Sequence, residues 1–303
     1  MTDLAFLICV EHGRLENESV LLVESIRRWA GGAADAPVYA FSPRPDFQPE
    51  PATLERLRSL GIEHVTEPLI PELPGGLPTF NKVFVSAWAE RELDHETLVF
   101  TDTDSVVMGE PTSLLAGDWV AAARPVDRRI AGSRGKGKND PYWRRMYEAL
   151  GVTSEPFVET TVGKMRIRAY WNSGLLAVRR AAGLFNAWER ALRTLYDRDL
   201  VYHRMPQFMD QLSWAAVTAD HHDRMLILPD GYNYPLRQRG GLPDGARDLD
   251  LTEMVHLHYR LFFHMADPLG AVSPPFDEGT QQYAWLDQRL PIEPLVDDVE
   301  ATG

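Results

Sequence analysis

Apolar positions fall along the first hundred residues as short runs separated by stretches with helical spacing. Leu4–Val10 is an unbroken apolar run and reads as a buried strand. Leu22, Val23, Ile26 and Trp29 then recur at helical spacing across Ser19 to Trp29, and Gly31-Gly32 ends the helix. Pro37–Phe41 predicts a second strand closed by Ser42-Pro43. Thr53–Leu60 predicts a short helix closed by Gly61, and Ile62–Thr66 a third strand. A proline-rich loop from Pro68 to Pro78 leads to Thr79, placed to cap a helix with Phe80, Val83, Phe84, Ala87 and Trp88 on one face. Leu98–Thr101 is the fourth strand. Strands alternating with helices predict an α/β fold with a mostly parallel, doubly wound sheet.

The second half is less regular. Asp118–Ala123 predicts a strand that runs into a basic Gly/Lys loop. Asp140-Pro141 opens a helix that Gly151 closes, with Tyr142, Met146 and Leu150 inward. Trp171–Val178 is a strand, Ala182 to Leu195 an amphipathic helix and Gln207–Ala219 another helix. Met225–Leu228 and Met254–Tyr259 are late strands. The tail after Pro274, ending Asp297-Asp298-Val299-Glu300, is expected to be peripheral.

Composition fits a folded enzyme-sized chain: 303 residues, 44% apolar, 10% aromatic and 25% charged, enough to bury a sizeable core. Leu4–Val10 is far short of a membrane span. It also lacks the basic leader and small-residue cleavage site of a signal peptide. The lone Cys9 excludes an intrachain disulfide framework and a cysteine-clustered zinc site. The expectation is a soluble, cytoplasmic protein without a transmembrane segment.

Charge changes the picture in one place. The net charge of −13, from 31 basic and 44 acidic residues, argues against nucleic acid as the main partner. Between Arg124 and Arg145, however, eight cations (Arg124, Arg128, Arg129, Arg134, Lys136, Lys138, Arg144, Arg145) face only Asp127 and Asp140, a local +6. Such a run is commonly a solvated loop. The sharper reading is a mobile basic flap that meets a phosphorylated or otherwise anionic ligand.

The most informative stretch is Leu98-Val99-Phe100-Thr101-Asp102-Thr103-Asp104, an apolar strand running into two carboxylates one residue apart. At the C-terminal end of a parallel strand they project into the crevice where open α/β sheets bind ligands. Two bare carboxylates repel, so a hard divalent cation beside them makes the arrangement favourable. Taken alone, an Asp pair is equally a turn acid plus a helix cap. Two enzyme classes place Asp-x-Asp after such a strand: nucleotide-sugar glycosyltransferases and haloacid-dehalogenase-like phosphatases. The phosphatases open with the motif on their first strand and need a later acidic pair. Here about a hundred residues precede it, and the only Asp-Asp pair is Asp297-Asp298.

Five further segments follow the glycosyltransferase order. Phe80-Asn81-Lys82 puts a cation in a first helical turn, an unfavourable place on dipole grounds alone. Trp171-Asn172-Ser173-Gly174 joins a small pair to an amide. Met209-Asp210-Gln211, then Leu228-Pro229-Asp230-Gly231-Tyr232-Asn233, precede Val255-His256-Leu257-His258-Tyr259, whose histidines face one side of a strand. In this order the segments resemble a metal-dependent GT-A glycosyltransferase, nearest to glycosyltransferase family 8 and its bacterial relatives. Where family 8 continues with Gly-x-x-Lys-Pro-Trp, this chain has Arg260-Leu261-Phe262-Phe263-His264.

The resemblance implies a single GT-A domain over 1–273, with a nucleotide-binding half (1–110) and a sugar and acceptor half (111–273), and a peripheral tail over 274–303. It implies a nucleoside-diphosphate sugar donor, commonly a UDP-sugar, and an acceptor of unknown class. Asp102 and Asp104 with His258, or His256, would hold Mn²⁺ or Mg²⁺. Lys82, Thr103, Arg124, Asn172, Ser173 and Gly174 would bind the donor, with Asp210 and Gln211 catalytic and the anomeric configuration retained. The alternatives are the phosphatase, using Asp102 and Asp104, and a non-catalytic nucleotide-sugar-binding protein.

Overall fold

β1 (Leu4–Cys9) forms where the longest apolar run lies, and its first five residues are buried in a computed structural model that describes residues 3–70 and 77–293. α1 (Leu15–Trp29) starts before the apolar spacing predicts, because acids in its first turn are themselves buried and bonded. The Glu16 carboxylate accepts from the Gly13 amide at 3.0 Å, the Glu50 amide at 2.8 Å and the Thr53 hydroxyl at 2.5 Å. β2 (Val38–Phe41), α2 (Pro51–Ser59) and β3 (Ile62–Val65) follow, with proline at the first position of α2.

α3 (Asn81–Glu92) is not capped by Thr79. A 3-10 turn over Pro78–Phe80 draws that threonine inside the turn, and the helix begins without a side-chain cap. Nor is α3 buried on one face only: from Asn81 to Glu90 every residue but Trp88 is buried. β4 (Thr97–Thr101) is buried throughout. It is followed by β5 (Ser105–Val107), which the sequence reading did not contain, and by α4 (Thr112–Leu115). β6 (Ala121–Pro125) starts three residues later than expected. Gly117 at φ 99° turns the chain, and the exposed Asp118 pairs with Arg224 at 3.1 Å instead of entering the strand.

α5 (Asp140–Leu150) ends at Gly151, whose φ of 67° suits glycine. Its inward stripe is Trp143, Met146 and Tyr147; the expected Tyr142 and Leu150 are only half-buried. A hairpin of β7 (Phe157–Glu159) and β8 (Arg166–Arg168) precedes β9 (Trp171–Arg179). α6 (Leu184–Asp197), α7 (Met209–Ala219), β10 (Met225–Ile227), β11 (Tyr234–Pro235), β12 (His256–His258) and α8 (Gln281–Asp287) complete the chain.

Seven strands run in the order β10-β6-β9-β4-β1-β2-β3, a mainly parallel sheet, and β11-β12-β5 form a smaller one. β1 pairs in parallel with β2 and β2 with β3, β10 runs parallel to β6, and β6 runs antiparallel to β9. Two compact units divide the chain. The first comprises 1–68, 101–116 and 229–303. In it α8 and the turn after it pack on α1: Trp285 meets Trp29 edge-on at 6.3 Å, and Arg289 donates to Glu24 at 3.0 Å. Asp297 and Asp298 lie outside the described residues.

The second unit comprises 69–100 and 117–228. Phe185, Trp188 and Trp214 cluster between α6 and α7 with centroids 5.1 to 6.1 Å apart, each ring contributing roughly 1.5–3 kcal/mol by burial. α6 begins at Gly183, which has no capping side chain, and Glu90 of α3 caps it instead. Its carboxylate accepts from the Phe185 and Asn186 amides at 3.1 and 2.7 Å.

One buried ion pair in this unit yields a pH prediction. Arg168, 1% exposed, donates to the Asp140 carboxylate, which Arg144 and Ser133 also contact at 2.7 and 2.8 Å. Burial alone would raise the Asp140 pKa, but these hydrogen bonds outweigh it and hold the group at about 2. A depressed carboxylate stabilises the fold fully above its unfolded pKa of about 4. That contribution, on the order of 2 kcal/mol, is lost as pH falls from about 4 towards 2. The melting gap between wild type and Asp140→Asn should therefore be full at pH 6 and reduced to roughly half at pH 3. A gap as wide at pH 3 as at pH 6 would rule out this linkage.

Candidate active site

In the first unit, β4 ends at Thr101 and the chain exposes alternate residues: Asp102 and Asp104 are half-buried, while Thr103 between them is 5% exposed. β5 then pairs antiparallel with β12, setting His258 opposite Ser105 and His256 opposite Val107. That register brings His258, of the two late histidines, to the acids. One ligand atom each from Asp102, Asp104 and His258 lies within 4.8 Å of the others. The His258 Nε2 is 3.2 Å from Asp104 Oδ1. Burial works against a charged His258, yet the attraction and hydrogen bond of Asp104, with Asp102 adding to them, raise its pKa overall.

The position of β12 has a local cause. The Val255 and His256 amides donate to the Gly231 carbonyl at 2.8 and 3.1 Å. A Cβ on Gly231 would stand 2.8 Å from the Glu253 carbonyl, so only glycine lets the segment before β11 approach the one before β12 this closely. Beyond the strand, the Tyr259 and Arg260 amides donate to the Asp104 carbonyl at 3.0 and 3.3 Å, which fastens the acidic turn to β12.

His256 serves a different set of contacts. Its Nε2 lies 2.7 Å from Thr101 Oγ1, which is 3.0 Å from Ser105 Oγ, and the Ser105 hydroxyl donates to the Asp102 carbonyl. Burial, reinforced by the neighbouring His258, pushes its pKa down to about 3, so it is neutral. The network supports the acidic turn from behind. Thr101 and Ser105 escaped the sequence reading. The Ser-Val-Val after the second Asp was the available signal, since it could read as a strand.

The second unit gathers another polar set. Lys82 in the first turn of α3 is 8% exposed, and its Nζ lies 3.4 Å from both the Ser173 carbonyl and hydroxyl and 3.9 Å from Asp210 Oδ2. Its ammonium also sits 5.5 Å from the centre of the Phe100 ring. The Ser173 hydroxyl donates to Asp210 Oδ2 at 2.7 Å, and Asn172 Oδ1 accepts from the Gly174 amide at 2.8 Å. Arg124 of β6, 1% exposed and so no part of a solvated flap, lies opposite Asn172 in the β6–β9 register. Asp210 and Gln211 open α7, and the Asp210 carbonyl accepts from Trp188 Nε1 at 2.8 Å. The buried Gln211 Oε1 has no hydrogen-bond partner among the described residues. Trp188 and Phe100, which hold this set in place, were missed because each reads in sequence as ordinary core.

A Rhodobacterales glycosyltransferase domain matches residues 6–221. The chain belongs to that family. It is therefore a glycosyltransferase, and this displaces the phosphatase and non-catalytic alternatives. Among solved structures, this glycosyltransferase resembles the galactosyltransferase LgtC in complex with donor and acceptor sugar analogues. The TM-score is 0.55 and the identity 14%, over 94% of this chain and 96% of that one. It resembles the apo bifunctional glycosyltransferase WbbM with a TM-score of 0.55 and 13% identity, over 95% of this chain but 51% of the other, so it spans about half of WbbM. Apo mouse xyloside xylosyltransferase 1 gives 0.50 and 14%, over 84% and 97%. At these identities the likeness is one of fold, and the fold is GT-A. No curated protein matches the chain. No helix among the described residues is long and apolar enough to cross a membrane.

Proposed function

We propose that this glycosyltransferase moves a sugar from a nucleoside-diphosphate sugar, with UDP as the expected nucleotide, to an acceptor hydroxyl, with a divalent cation on the donor diphosphate. The observation that carries the reading is the convergence of Asp102, Asp104 and His258 on one place. Two carboxylates and an imidazole are a donor set for Mn²⁺ or Mg²⁺, the imidazole favouring Mn²⁺. The fit is also electrostatic: the two acids already draw positive charge onto His258, a demand that a cation meets more completely. When bound, the ion supplies Lewis-acid stabilisation of the departing diphosphate.

The chain's own residues do the rest. Asp102, Asp104 and His258 fix the ion, and Lys82 and Arg124 add fixed positive charge for the donor. Thr103, Asn172, Ser173 and Gly174 orient the donor through hydrogen bonds to its oxygens. Asp210 and Gln211 act at the anomeric carbon, where the bond to the diphosphate oxygen breaks and the bond to the acceptor oxygen forms. The acceptor proton leaves with the diphosphate or to solvent. We favour retention of configuration, with Asp210 stabilising the positive charge that develops on the sugar.

The test is release of nucleoside diphosphate from a panel of UDP-, GDP- and dTDP-sugars, with Mn²⁺ or with EDTA. Cleavage of one donor, at least about a hundredfold faster with Mn²⁺, is expected. Equal rates in EDTA would overturn the metal assignment.

A further inference from the structure

The basic loop that follows β6 is not an independent flap. Asn139 Nδ2 donates to the carbonyls of Ile130 and Gly132 at 3.2 and 2.9 Å, and Trp143 Nε1 donates to the Ala131 carbonyl at 2.8 Å. The β7–β8 hairpin holds it from the other side. The Arg168 amide donates to the Ser133 carbonyl at 2.7 Å, and the Thr161 and Val162 amides donate to Val126 and Asp127 at 3.1 and 2.9 Å. A Cβ on Gly135 would meet the Phe157 ring at 3.3 Å, and the Arg166 guanidinium stacks over that same ring at 4.0 Å. Loop and hairpin tip therefore present one surface.

That surface is basic and also apolar. Residues 127–139 and 155–168 carry eight cations against three acids, a local +5 in a chain of −13. Arg128, Arg134, Lys136, Lys138, Lys164 and Arg166 are all exposed. None of the six has a carboxylate partner among the described residues. Between them stand two large exposed apolar side chains, Ile130 and Met165, each 38% exposed. Ile130 is held out on a backbone of φ 37°, and Met165 follows Lys164 at φ 47°, conformations that β-branched and long side chains avoid.

A soluble polyanion would use the cations but not the two apolar tips. A bilayer interface takes both, the tips entering the acyl boundary while the cations meet anionic headgroups. We propose that this face docks the enzyme peripherally on membranes containing anionic lipid, with Ile130 and Met165 inserted. The net negative charge of the remaining chain is repelled by the same surface, so only this face approaches it. The surface is pinned before it binds, and little ordering entropy opposes docking. The proposal does not rest on the identity of the donor.

The test is flotation of the full chain with vesicles of phosphatidylcholine alone, and of phosphatidylcholine with phosphatidylglycerol in a two-to-one ratio. Retention on immobilised heparin serves as the soluble-polyanion control. Wild type should float only with the anionic vesicles, and less so at high salt. The quadruple variant Arg134→Gln, Lys136→Gln, Lys138→Gln, Lys164→Gln should lose vesicle binding by on the order of a hundredfold or more. The variant Ile130→Asn, Met165→Ser should lose about tenfold while keeping its heparin retention. Asparagine tolerates the φ at 130, and unchanged thermal melts will show both variants folded. Failure of wild type to bind anionic vesicles overturns the proposal, as does full vesicle binding by the charge variant. Unchanged vesicle binding by the apolar variant also overturns it, and then assigns the face to a soluble polyanion.

Discussion

Asp104→Ala is expected to lower kcat/KM for the preferred nucleotide sugar by about a thousandfold, roughly 4 kcal/mol of transition-state stabilisation. Excess Mn²⁺ should restore little of it. The physical case is that Asp104 holds two positions at once: its carboxylate faces His258, and its carbonyl anchors the Tyr259 and Arg260 amides. The substitution removes only the first, so the backbone anchor and the fold survive. A stability comparison separates these effects. Asp104 raises the His258 pKa in the fold against the burial that lowers it. In EDTA its contribution is therefore fully present below the unfolded imidazole pKa of about 6.5. It is lost as pH rises through the higher folded value. The melting gap between wild type and variant should be wider at pH 5.5 than at pH 9. Full turnover in the variant would remove Asp104 from the site altogether.

The parts of the site carried by local patterning were legible in the sequence. An apolar strand that ends in alternating acids needs no tertiary information, and neither does a cation in the first turn of α3 or an acid in the first turn of α7. What the sequence left open was which late histidine meets the acids. Both lie on the same face of one short strand, and only the pairing register with β5 separates them. Register is a property of two strands about 150 residues apart, and β5 itself is three residues long. So short a strand carries too little periodicity to stand out in the sequence. The second late histidine, His256, then found its partner in Thr101, a residue with no sequence signal of its own.

The basic run shows the opposite failure. Its charge was conspicuous, but charge counting alone joined residues of three different environments: Arg124 buried in β6, Arg144 and Arg145 on α5, and the exposed loop between them. The β7–β8 hairpin that completes the surface was missed because its strands are three residues each and lie beside glycine and charged residues. A buried ion pair such as Arg168–Asp140 is equally silent in sequence. Neither residue type announces burial, and the pairing spans 28 positions.

Asp210→Asn is expected to reduce kcat by on the order of a hundredfold while leaving the donor KM within about threefold and the fold intact. The amide keeps an oxygen to accept from the Ser173 hydroxyl, a bond of 2.7 Å, and the backbone carbonyl still accepts from Trp188. Geometry is thus preserved and charge alone is removed. Lys82 loses an attraction at 3.9 Å but keeps the Ser173 carbonyl and hydroxyl at 3.4 Å. The stability cost should accordingly fall below the 3–5 kcal/mol typical of breaking a buried pair. Lys82→Met supplies the second edge of a cycle. If Asp210 acts only by placing Lys82, the double variant should be no slower than the worse single one. If the carboxylate itself steadies charge on the sugar, the two losses should come close to multiplying. The second outcome is expected, because the carboxylate bonds Ser173 directly and stands beyond hydrogen-bond distance of the ammonium. A change in the anomeric configuration of the product in Asp210→Asn, read by NMR, would tie that charge to the stereochemistry of transfer.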